Sequence, residues 1–147
     1  MFKCTVIATS LALMIIPALA QNEENNHAGR YESEGGQSLT ADLTHLSGNR
    51  YSVELSTTVP ISGERPGCGG GLKGELAIEA GAGTLSIPNE GFIASEAESV
   101  LNSKLCKVNF KFSDKYTLQI EEGSGCTFYH GASCSFDGTL VHEASGI

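Results

Sequence analysis

Leu39, Ala41, Leu43 and His45 occupy every second position of one segment, and Tyr51, Val53, Leu55 and Thr57 do the same just after it. Side chains alternate faces along a β-strand, so each run reads as one face of a half-buried strand. Ser47-Gly48-Asn49 lies between them, and a loop over these residues sets Leu43 opposite Val53 and Ala41 opposite Leu55. Asn49 tolerates the left-handed backbone that the third position of such a loop needs. A two-residue Gly48-Asn49 turn would put Leu43 against Glu54, so the apolar match favours the longer loop.

The pattern repeats along the chain. Leu72, Gly74, Leu76, Ile78 and Ala80 alternate with Lys73, Glu75 and Glu79, then turn through Gly81-Ala82-Gly83 into Leu85 and Ile87, with Ile78 facing Ile87. Cys106, Val108, Phe110 and Phe112 run to a Ser113-Asp114-Lys115 loop and return as Tyr116, Leu118 and Ile120. That register pairs Phe112 with Tyr116, Phe110 with Leu118 and Val108 with Ile120. A last hairpin runs from Cys126 to Tyr129 and returns over Ala132 to Leu140. One segment departs from alternation: Ser95-Glu96-Ala97-Glu98 has the form of a capping box, and Ala97, Leu101 and Leu105 follow at helical spacing, which predicts a short helix over 96–103. The 18 glycines fit many tight turns.

Together these segments predict an all-β fold: an antiparallel meander of about eight strands closing into a small barrel, or packing as a sandwich, with one short helix. Consecutive hairpins with short loops favour the barrel. The expected interior is Leu43, Val53, Leu55, Leu76, Ile78, Phe110, Phe112, Leu118 and Phe136.

Met1–Ala20 has a charged start (Lys3), an apolar run from Leu11 to Ile16 and an Ala18-Leu19-Ala20 end, the three parts of a secretory signal peptide cleaved before Gln21. Residues 21–28 are polar and read as a disordered lead, and 29–143 as a single barrel domain. The mature chain would lie in the periplasm or outside the cell without stable membrane insertion, because the apolar run is shorter than a bilayer demands. Cleavage removes Cys4 and leaves an even set of four: Cys68, Cys106, Cys126 and Cys134. In an exported chain they read as two disulfides. Three pairings are possible; a loop at Tyr129-His130-Gly131 would set Cys126 opposite Cys134 and leave Cys68 for Cys106. Cleavage also removes Lys3, so 8 Lys and Arg stand against 17 Asp and Glu, a formal charge of −9.

Such an acidic chain lacks the basic face that nucleic acid requires. Catalytic signatures are also missing: there is no Gly-x-Ser-x-Gly elbow and no His-Glu-x-x-His, and the histidines (His27, His45, His130, His142) are scattered. Gly67-Cys68-Gly69-Gly70-Gly71-Leu72-Lys73-Gly74 suggests a phosphate loop, yet it lacks the Lys-Ser/Thr pair, and an alternating strand follows it instead of a helix. The expectation is a non-catalytic protein without cofactor or metal. Loop tips are then the places to look for contacts, since aromatic anchors on pre-ordered loops lose little entropy on binding.

The stretch Cys126-x-x-Tyr129-His130-Gly131-x-x-Cys134-x-Phe136-x-Gly138 is similar to the closing segment of small exported proteobacterial envelope proteins of the lysozyme-inhibitor-like type. Leu46-Ser47-Gly48-Asn49-Arg50-Tyr51 resembles the Ser-Gly-x-x-Tyr loop of periplasmic C-type lysozyme inhibitors. The resemblance implies a binding module that inhibits a basic lytic enzyme, and an acidic protein suits a basic partner. The residues expected to make contact are Ser47, Asn49, Arg50, Tyr129 and His130. The alternative is a carrier of a small apolar ligand, because an eight-stranded barrel of this size holds either side chains or one ligand.

Overall fold

A computed structural model describes residues 26–146, so the expected signal segment and the first part of the expected lead lie outside the described residues. Eight strands follow in order: β1 (Gly29–Ser33), β2 (Ser38–Ser47), β3 (Arg50–Val59), β4 (Cys68–Ala77), β5 (Ala82–Pro88), β6 (Leu105–Phe112), β7 (Thr117–Glu122) and β8 (Gly138–His142). They form one antiparallel sheet in the order β4-β3-β2-β1-β8-β7-β6-β5, curled into a nearly closed barrel. The N-terminal strand β1 sits between β2 and β8 and joins the two halves of the meander.

Alternation decides what is inside. Tyr31, Leu39, Ala41, Val53, Leu85 and Phe110 are among the inward residues with almost no exposure. Every residue of the expected interior is buried except Phe112, which is half-buried against the core. Removing such side chains from water is the main force holding a small sheet closed.

The β2–β3 register is the one the apolar match requires, with Ala41 opposite Leu55 and Leu43 opposite Val53. The turn that sets it differs from expectation. Ser47 pairs with Arg50 across a two-residue turn, a bulge lies between His45 and Ser47, and the left-handed residue is Gly48 (φ 58°) instead of Asn49. The bulge adds the residue that restores the apolar register.

Two other registers are corrected. Phe112 pairs with Leu118 and Phe110 with Ile120, two positions from expectation, because the Asp114 carboxylate accepts the N–H groups of both Tyr116 and Thr117 and lengthens the loop. Glu79 pairs with Ala82 across an Ala80-Gly81 turn, so Ile78 does not face Ile87. Both central residues have positive φ, 49° for Ala80 and 76° for Gly81, as a twisted two-residue hairpin requires.

The expected helix over 96–103 does not form. Residues 89–104 make a looped excursion organised by Asn102, whose Oδ1 accepts the Ile93 N–H (2.8 Å) and whose Nδ2 donates to the carbonyls of Ile93 and Ala97, both at 3.1 Å. The helical turns among the described residues are short 3-10 pieces elsewhere, Cys126–Phe128 and Glu143–Gly146. The expected last hairpin is likewise absent, since Cys126 lies in the first of these turns. The disulfides are Cys68–Cys134 and Cys106–Cys126, not the expected pairing.

Residues on both sides of 29–143 also touch the barrel. Of the lead expected to be disordered, His27 and Ala28 pack on the barrel, with the His27 ring stacked on Phe112 at 3.9 Å. At the other end, the Ala144 N–H donates to His142 Nδ1.

Candidate functional site

The connections segregate by length. The β2–β3, β4–β5 and β6–β7 turns meet at one end of the barrel, the turn end. The four connections at the other end, residues 34–37, 60–67, 89–104 and 123–137, include all the long ones and make up the loop end.

Ser47, Asn49 and Arg50 are exposed at the turn end. Asn49 Nδ2 donates to Glu79, and Arg50 is ion-paired with Glu75 on β4. Beside them opens a cavity of about 660 Å³ lined by His27, Tyr51, Ile78, Phe112, Asp114 and Lys115, among others. Burial lowers the His27 pKa below its ordinary 6.5. The Asp114 carboxyl is held low by the N–H groups of Tyr116 and Thr117. Behind this mouth, burial together with the charges of Tyr51 and Asp114 pushes the Tyr31 phenol up to about 12.

Tyr129 and His130 lie at the loop end. Gly70, beside which His130 pairs, is seven positions along β4 from Ala77, the partner of Arg50, a span of roughly 23 Å at strand rise. The five expected contact residues therefore form two separate groups. Nor do Tyr129 and His130 present free tips. The Tyr129 hydroxyl donates to the Pro88 carbonyl at 2.8 Å. The His130 ring packs edge-on against Phe136, its Nε2 lies 3.0 Å from Glu122 Oε1 and its Nδ1 lies 2.8 Å from the Gly131 carbonyl. Burial opposes a charge on His130, yet the bond to Gly131, the Glu122 carboxylate and the charge of Asp137 together raise its pKa.

The arrangement around Tyr129 is structural. β4 and β5 are the two edges of the sheet, and among the described residues they share no ladder beyond the Glu79–Ala82 bridge. Near the middle of this seam, methyl groups of Ile87 and Leu85 occupy the place that a side chain at Gly74 would take. At the loop end the segment 126–134 spans it. The Gly71 N–H donates to the Tyr129 carbonyl (2.9 Å), the Gly131 N–H to the Gly69 carbonyl (3.3 Å), and Cys134 is bonded to Cys68, all on the β4 side. On the other side, Cys126 is bonded to Cys106 of β6, Tyr129 reaches Pro88 at the end of β5, and the Phe128 ring lies on Gly91. Each disulfide anchors one side of this bridging segment.

Sequence reasoning missed two asparagines that hold the loop end. Asn102 organises the excursion as described, and buried Asn89 donates to the carbonyls of Ser103 and Gly125. The signal was present, since asparagine among glycine, serine and proline often satisfies loop backbone through its side chain. Among the described residues no group of three or more His, Cys, Asp or Glu is placed to hold a metal ion.

These features define a class: a nearly closed eight-stranded antiparallel barrel, filled by its own side chains and braced by two disulfides. The disulfides fit an oxidising compartment. No helix among the described residues is long and apolar enough to cross a membrane. Comparison with known proteins gave no matching family model, no matching curated protein and no matching solved structure.

Proposed function

We propose that this protein is a non-catalytic binding module, exported to the periplasm or secreted after cleavage before Gln21, which engages a basic protein partner. Its sharpest form is inhibition of a C-type lysozyme. The observation that carries this reading is the surface charge of a disulfide-braced barrel: residues 26–146 hold fifteen Asp and Glu against eight Lys and Arg. Nearly all these acids are exposed, and Glu34, Glu64, Glu90, Glu96 and Glu143 make no ion pair with another described residue. Such a surface steers a basic partner into encounter and disfavours acidic competitors. The test is a lysozyme turbidity assay with purified mature protein. Slower lysis supports the reading, and unchanged lysis at micromolar excess overturns its lysozyme form.

A second reading, a carrier of a small apolar ligand, is favoured by one observation. The turn-end cavity places Tyr51, Ile78 and Phe112 around a space of about 660 Å³, within the range of small-molecule sites. The ligand would sit at the barrel mouth, since the interior is packed. Enhanced fluorescence of 1-anilinonaphthalene-8-sulfonate that is lost in Phe112→Ala supports it, and no enhancement with the native protein rejects it.

A further inference from the structure

The two ends of the barrel differ in chemistry. The four loops at the loop end hold six acids (Glu34, Glu64, Glu90, Glu96, Glu98 and Asp137) against two cations, Arg65 and Lys104. The connections at the turn end hold Glu79 and Asp114 against Lys115. Among the described residues, the four ion pairs made by Arg or Lys lie on the outer faces of β1–β4, and none of them involves a loop-end acid.

Exposed apolar side chains gather at the same end. Of the eight large hydrophobic residues exposed among the described residues, five (Ile61, Ile93, Val100, Leu101 and Phe128) lie in the loop-end connections. Val100 and Leu101 are 71% and 79% exposed at the tip of the 89–104 excursion. This tip is held by the Asn102 network, and Phe128 lies on Gly91 at its base. The bonds from Asn89 to the Ser103 and Gly125 carbonyls and the Cys106–Cys126 disulfide hold its base, so ordering costs on binding are small. A scattered exposed leucine needs no explanation, but apolar groups gathered among acids on a braced loop have the composition of an interface with a charged rim.

We propose that the loop end is the docking surface, with Val100 and Leu101 at its apolar centre and the loop acids as its rim, and that its occupant is a basic protein with apolar groups beside its cationic patch. This rests on the functional reading above and moves the contact away from Ser47, Asn49 and Arg50. Charge complementarity selects the occupant: an acidic protein or nucleic acid would meet like charge here.

The test measures affinity for three basic proteins, a C-type lysozyme, cytochrome c and pancreatic ribonuclease, using the native mature protein and three double variants. Val100→Ser with Leu101→Ser should weaken binding by about tenfold, the loss expected when central anchors are removed. Glu90→Gln with Glu96→Gln should slow association and flatten its salt dependence. Asn49→Ala with Arg50→Ala should change neither. All three pairs are exposed, and unchanged thermal melting confirms that the fold is intact. If the Asn49/Arg50 variant loses binding while the loop variants keep it, the docking surface is wrong and the functional reading stands. Loss in the glutamate variant alone overturns the apolar centre. If none of the three proteins binds the native protein, the functional reading and the docking surface fall together.

Discussion

The Tyr129 hydroxyl donates to the Pro88 carbonyl at 2.8 Å across the gap between the two edge strands of the barrel. The same residue accepts the Gly71 N–H through its own carbonyl, so one tyrosine ties both edges together. Tyr129→Phe keeps the ring and deletes only the bond to Pro88. It should destabilise the protein by about 1 kcal/mol, the usual net value of one such bond. Chemical denaturation checks this, and hydrogen exchange should quicken first at the end of β5.

The absence of a Cys126–Cys134 bond has a simple peptide signature. Trypsin leaves Cys126 and Cys134 together on residues 116–147, with Cys68 and Cys106 on two other peptides. The Cys68–Cys134 and Cys106–Cys126 bonds therefore hold three peptides in one unreduced species. A Cys126–Cys134 bond would instead give a self-closed peptide and a separate linked pair. Removing either bond singly should cost roughly 3 to 4 kcal/mol by loop-closure entropy, more for the longer Cys68–Cys134 loop.

Ala80 stands at φ 49°, where a side chain is disfavoured, as the first central residue of the β4–β5 turn. Ala80→Gly should stabilise the fold by about 0.5–1 kcal/mol, the relief of left-handed strain less the added chain entropy of glycine. Thermal denaturation reads the gain. A loss of stability would contradict the turn geometry.

His130 and His27 should act on stability with opposite signs. The raised pKa of His130 means that folding favours its charged form, so its contribution is full below 6.5 and fades as pH rises through the raised value. Burial lowers the pKa of His27, so its neutral form is favoured and stability falls as pH drops through 6.5 toward the lowered value. His130→Gln should therefore cost most at about pH 5 and progressively less toward about pH 8. Denaturation of both proteins across that range checks this, and a pH-independent difference would contradict the Glu122 contact.

The barrel was legible where apolar alternation was strong on both partners, as in Ala41 with Leu55 and Leu43 with Val53. At Phe112 the register slipped by two, because the side-chain period is two and both registers keep the same face inward. The failures have local causes. The 96–103 segment offers a capping box, but Val100 and Leu101 find nothing to pack against, and Asn102 takes backbone groups that a helix would need. The disulfides were illegible because both join the bridging segment to distant strands, and no local pattern encodes that. Of the five candidate contact residues, Ser47, Asn49 and Arg50 are exposed, whereas Tyr129 and His130 are half-buried and their polar atoms bond to Pro88, Glu122 and Gly131.

Sedimentation velocity of the mature protein mixed with a C-type lysozyme tests the central claim most directly. A complex that co-sediments at low salt and dissociates as salt rises is the predicted result, since charge drives the encounter. Two species sedimenting independently at low salt, with both proteins at micromolar concentration, would contradict it.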